Sequence, residues 1–161
     1  RTGFASAGQQ QRWWEHEIVA AFGKMTPTDL CAAVGLAQLR KLPASQARRA
    51  AIWQRYQTEL TGLDWLQLPR DTLPGDRHSY FTYCVRVTNG TRDGLAHFLL
   101  RQGIYTTVRF HPLHLNPVYG ANTSLPVSER LGEQALNLPL HPRLSDADVE
   151  QVISAVRRFE P

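Results

Sequence analysis

The stretch at 80–88 constrains this chain most. Phe81, Tyr83, Val85 and Val87 recur at every second position, the period of a half-buried strand, and Asn89-Gly90 stops the run. Thr91 then stands where a helix cap belongs, ahead of Leu95, Phe98 and Leu99 at helical spacing, with Gly103 ending the segment. Ile104-Tyr105-Thr106-Thr107-Val108-Arg109 reads as a further strand from its β-branched and aromatic content. Strand, helix and strand in this order need a sheet with a helix laid on it. The predicted class is therefore α/β, a two-layer domain of helices packed on a small mixed or antiparallel sheet.

The flanking segments add helices. Thr26-Pro27-Thr28-Asp29 offers a capping hydroxyl, a proline at the first helical position and an acid after it, which predicts a helix over 27–41 with Thr26 as its cap. Leu30, Ala33, Val34 and Ala37 share one face of it, an apolar face expected to be exposed, as are Trp13 and Trp14. Pro43 punctuates the chain, and Ser45 opens a second helix with Arg48, Arg49 and Arg55 outward and Ile52, Tyr56, Leu60 and Leu63 at helical spacing, stopped near Gly62. A short helix at 127–134 and a short strand at 137–140 follow. Ser145-Asp146-Ala147-Asp148 caps a last helix with Val149, Val152, Ile153 and Val156 on one face. Residues 1–11 have no period and read as a loop.

Composition narrows the function classes. The chain has 42% hydrophobic and 20% charged residues over 161 positions, enough for one domain with a core. No run approaches the roughly 18 apolar residues of a membrane helix, so a soluble, cytoplasmic protein with no membrane partner is expected. The net charge is +4 and arginine supplies most of the positive charge, since Lys24 and Lys41 are the only lysines. The arginines are scattered rather than striped, which argues against a nucleic-acid partner. Cys31 and Cys84 read as small core fillers rather than a disulfide or zinc framework.

Three motifs carry chemistry. Lys24 lies just before the first predicted helix, where a helix N-terminus and a cation could attract an anion such as phosphate; on physical grounds alone a plain capped helix with a solvated lysine is the favoured reading. Arg109-Phe110-His111-Pro112-Leu113-His114 holds an H-x-x-H pair without a third ligand, a poor zinc site, so no metal is expected. Arg109 itself, at a strand end, suits a phosphate or carboxylate through its forked donors. His78-Ser79-Tyr80-Phe81-Thr82-Tyr83 reads as strand packing.

The order of segments is informative as a whole. Lys24-Met25-Thr26, then Ala32-Ala33-Val34-Gly35-Leu36-Ala37-Gln38-Leu39, Arg48-Arg49, His78-Ser79-Tyr80, Gly103-Ile104-Tyr105-Thr106-Thr107, Pro112-Leu113-His114-Leu115-Asn116-Pro117-Val118-Tyr119 and Leu138-Pro139-Leu140-His141 together resemble the DegT/StrS-type sugar aminotransferases. The resemblance covers nearly the whole chain. It implies the C-terminal small domain of the fold-type I aminotransferase fold over 27–161, with 1–26 as loop and connector from a large domain that binds pyridoxal 5'-phosphate (PLP).

The same resemblance implies an enzyme that moves an amino group from glutamate or glutamine to a nucleotide-diphosphate keto-deoxysugar, working as a homodimer or with a complementing large-domain chain. The Schiff-base lysine of the family falls before residue 1, so the chain alone is expected to be inactive. By residue-wise carry-over, Lys24 serves the cofactor phosphate or the subunit interface, although Phe22 stands where the family often has asparagine. Arg109, His114, Asn116 and Tyr119 face the sugar nucleotide, Arg109 where many relatives have histidine. Two other readings stand beside this one: a non-catalytic domain that binds a sugar nucleotide or a partner, and a dehydratase, as some relatives resemble.

Overall fold

The computed structural model describes residues 27–120 and 123–161. The chain divides into two compact units, Arg1–Arg40 and Lys41–Pro161. Lys24, Trp13 and Trp14 lie outside the described residues, and among those residues no helix is long and apolar enough to cross a membrane.

Helix α1 spans Asp29–Glu59. Its cap is Thr28, whose hydroxyl accepts the Cys31 N–H at 3.2 Å and whose carbonyl accepts the Ala32 N–H at 3.0 Å; Thr26, the expected cap, lies outside the described residues. The two helices expected around Pro43 are one, with the proline inside. Interrupting a helix strands up to four N–H and four C=O groups at the break, whereas running through Pro43 forfeits one N–H and strains one turn. Leu30 and Val34 are exposed, as expected for that face.

The second unit holds the sheet. Strands β1 (Leu66–Gln67), β2 (Tyr83–Val87) and β3 (Ala135–Leu138) pair antiparallel in that order, with Leu66 opposite Val87 and Val85 opposite Leu136. Tyr83, Val85 and Val87 are fully buried, as the alternation required. They share one core with Ile52, Trp53 and Tyr56 of α1, Leu95 and Leu99 of α2 (Arg92–Arg101), and Val149, Val152 and Ile153 of α4 (Asp146–Arg158). Phe81, expected on the same face, is 61% exposed, because regular strand begins only at Tyr83.

The segment at 104–109 forms one bridge, Thr107 to Asn137, and no strand. The next residue pair on one side of that bridge would set Tyr105 against Pro139, which has no N–H to give, so the ladder cannot extend in that direction. The same proline ends β3 at Leu138, two residues short of the expected end. Helix α3 is Pro126–Gln134. At the start of α2 the Thr91 hydroxyl does not cap; it donates to Asn89 Oδ1 at 2.7 Å, so the carboxamide holds the turn. At α4 the expected capping box is complete: Ser145 Oγ accepts the Asp148 N–H at 3.1 Å and the Asp148 carboxylate accepts the Ser145 N–H at 2.8 Å.

Two of the arginines expected outward are tied down instead. Arg48 donates to the Leu144 carbonyl at 2.6 Å and to Asp146 at 2.7 Å. Arg55 bonds both Glu59 and Glu150 at 2.7 Å. These contacts fasten the second half of α1 to the turn and first residues of α4, where one wall of the groove described next is made.

Candidate functional site

The failed ladder leaves a groove. Between the chain at 103–109, the end of β3 with the turn after it, and the start of α4 lies a cavity of about 470 Å³. Asn137, 6% exposed, closes its floor: its carboxamide donates to the Thr107 carbonyl at 3.0 Å, and the two main chains exchange N–H···O bonds at 2.8 and 3.3 Å. A buried amide that is satisfied in this way fixes the groove wall rather than offering a free donor.

Arg109 lines the groove with its guanidinium 5.3 Å from the centroid of the Phe81 ring, which lines it too. Among the described residues no carboxylate is paired with Arg109. A guanidinium resting on an aromatic face keeps its forked N–H edge available for a phosphate or carboxylate. Phe81, whose sequence pattern places it in strand packing, lines the groove instead; its neighbour Tyr80, at φ 45°, breaks the alternation and turns it outward. The side chain that supports the break is His78, two residues back, a residue type that turn patterns do not single out.

His114 lies elsewhere. Its Nε2 donates to Glu129 Oε1 at 2.9 Å, and the imidazole is 8% exposed. The same carboxylate accepts the Leu125 N–H at 2.7 Å and the Ser124 hydroxyl at 3.3 Å, at the start of α3. The His114 bond, then the Leu125 N–H, hold the Glu129 carboxyl below the usual glutamate range. Asn116 Oδ1 accepts the Val118 N–H at 3.2 Å and starts a 3₁₀ turn, Pro117–Tyr119, that leaves Tyr119 exposed. Of the four candidate residues described, Arg109 lines the groove and His114, Asn116 and Tyr119 sit on the loop that follows it. His114 and His111 meet no third metal ligand among the described residues.

PLP chemistry needs a lysine amine for its Schiff base. Lys41 is the one lysine among the described residues; it is exposed on α1 and takes no part in the groove wall. Among the described residues that line the groove there is no lysine.

The DegT/DnrJ/EryC1/StrS aminotransferase family matches residues 1–157. The chain belongs to this family. It is 38% identical over 94% of its length to the dTDP-4-dehydro-2,3,6-trideoxy-D-glucose 4-aminotransferase of Saccharopolyspora spinosa, of which it covers 39%. It is 36% identical over 91% of its length to the GDP-perosamine synthase of Caulobacter vibrioides, covering 40%. The chain thus spans about two fifths of these curated relatives. Among solved structures, the aminotransferase TlmJ of Streptoalloteichus hindustanus superposes with a TM-score of 0.82 at 46% identity, over 96% of this chain and 41% of that one. The S. venezuelae protein DesV, solved with a ketimine intermediate, superposes with a TM-score of 0.78 at 30% identity, over 92% of this chain and 40% of that one. The DegT/DnrJ/EryC1/StrS likeness therefore extends from the order of motifs to the fold of helices on a small antiparallel sheet.

Proposed function

We propose that this chain is the C-terminal part of a PLP-dependent aminotransferase that transfers an amino group from glutamate or glutamine to a nucleotide-linked keto-deoxysugar. The single observation that carries the reading is the exposed Arg109 guanidinium on its aromatic platform in the groove, in a chain whose relatives are named for dTDP- and GDP-linked sugars. In this reading Arg109 takes the diphosphate, and His114, Asn116 and Tyr119 belong to the loop that meets the sugar nucleotide. Lys24 serves the cofactor phosphate or a subunit interface. The complete enzyme works in the cytoplasm as a dimer, or with a chain that carries the large domain. PLP, when bound to it, supplies the electron sink for amino transfer.

The role of this chain's residues is then recognition. Binding of dTDP to the chain, followed by calorimetry, should weaken about tenfold or more in Arg109→Gln, the scale of one charge-assisted hydrogen bond. Equal affinity in the two proteins refutes the assignment of Arg109. Incubation with PLP, reduction with borohydride and peptide mapping test the expected inactivity. A stoichiometric pyridoxyl adduct on Lys24 would mean that this chain makes its own Schiff base; its absence supports a recognition part.

A further inference from the structure

The turn that leads into β2 is built from residue types that do not favour it. Tyr80 has a φ of 45°, in the left-handed region where a Cβ is strained and where glycine or asparagine usually stands. Its support is a side chain two residues back: Nδ1 of His78 accepts the Tyr80 N–H at 2.7 Å. The imidazole stacks on the Tyr80 ring with centroids 4.5 Å apart, and its centroid lies 4.4 Å from that of Trp53, which is almost fully buried. The rings fix the imidazole, and the imidazole fixes the main chain.

That bond has an electronic condition. A ring nitrogen that accepts carries no proton, so His78 must be neutral with its hydrogen on Nε2. Phe81 follows directly on the left-handed residue, out of the buried face of β2 and under the Arg109 guanidinium. The rings of Trp53 and Tyr80 face the imidazole; Asp76 and Arg77 precede it in the chain, both exposed. Among the described residues no carboxylate is within ion-pair distance of it. The two rings attract an imidazolium, yet they offer nothing that replaces the lost acceptor for the Tyr80 N–H.

We infer that His78 is a positioning residue for the groove: with Nδ1 unprotonated it locks the Tyr80 turn, and the turn holds Phe81 beneath Arg109. Protonation converts the acceptor into a donor and releases the platform. The inference rests on the proposed role of Arg109 for its use, but its geometry can be tested without any ligand.

Asparagine supplies the decisive variant, because its side-chain oxygen accepts the N–H two residues on and does not titrate. NMR of the whole chain reads two signals: exchange protection of the Tyr80 amide, and the ring-current displacement of the Arg109 Nε–H by Phe81. In the wild type both should be present at neutral pH, with the imidazole accepting at Nδ1, and lost in acid once that nitrogen is protonated. His78→Asn should keep both at either pH, and His78→Ala should lack both at either pH, with Leu95 and Leu99 amide protection reporting an intact core. Wild-type signals that do not change with pH, or a His78→Ala protein that retains them, overturn the inference; so does a His78→Asn protein that titrates like the wild type. Inorganic pyrophosphate then separates this claim from the functional one. Relative to His78→Asn, wild-type affinity should fall roughly three- to fivefold on acidification, the scale of one exposed cation–π contact. Absence of pyrophosphate binding at any pH, with the NMR pattern as expected, removes the anion role of Arg109 and leaves the positioning role standing.

Discussion

Replacing Gly132 by alanine sets two effects of opposite sign against each other. Gly132 sits inside α3, where alanine is favoured over glycine by about 1 kcal/mol because the unfolded chain loses freedom and the helix gains a good former. A Cβ built there would meet Pro112 Cδ at 2.9 Å and Cγ at 3.0 Å. Real Cβ atoms do not approach that closely, and a proline ring is locked to its own backbone, so the ring cannot swing aside. The loop that carries His114 must move instead, and overpacking of this kind costs about 1–3 kcal/mol. The structure therefore predicts a net loss of about 1 kcal/mol, which lowers the melting temperature by about 2–4 °C for a chain of this size. Thermal melts of wild type, Gly132→Ala, Pro112→Ala and the double variant form a cycle, and Pro112→Ala should return the alanine at 132 to its intrinsic, stabilising sign. A rise of about 2–4 °C in the single Gly132→Ala variant would show that the loop does not rest on α3 as described.

Two further outcomes follow from the same geometry. The Glu129 carboxyl titrates below its unfolded value, so its contribution is complete above about pH 4.3 and is lost as pH falls through its folded value. Glu129→Gln should remove that part of the acid limb in a series of urea midpoints, and an unchanged wild-type slope would contradict the bonds from His114 and Leu125. Ser145→Ala deletes the hydroxyl half of the α4 capping box and should cost about 1 kcal/mol, with Ser145→Gly milder by several tenths; equal stability of alanine and wild type in denaturant melts would mean that the cap is not formed.

The sequence by itself determined the features whose causes lie within a few residues. The period-two run through Tyr83, Val85 and Val87 became a strand with those side chains buried, and Ser145 with Asp148 became a capping box above the buried row of Val149, Val152 and Ile153. The order of short motifs was enough to indicate the family. Tertiary structure decided the rest, because the interactions responsible join residues far apart in the chain. Strand β1 is two residues long and exists only because β2 offers a ladder. The run at 104–109 has strand composition but forms a single bridge, and on one side of it the partner two residues beyond Asn137 is a proline. Helix α1 passes through Pro43, which local rules read as a stop. Phe81 lies off the buried face after a left-handed Tyr80, whose N–H is bonded to His78, an imidazole packed on Trp53 of α1 far back in the chain. His114 went to Glu129, fifteen residues on, while Arg109 stayed at the groove. Periodicity and capping are local free energies that sequence patterns carry directly; which acceptor a histidine finds, and which strand lacks an N–H to pair with, depend on contacts that exist only once the chain has folded.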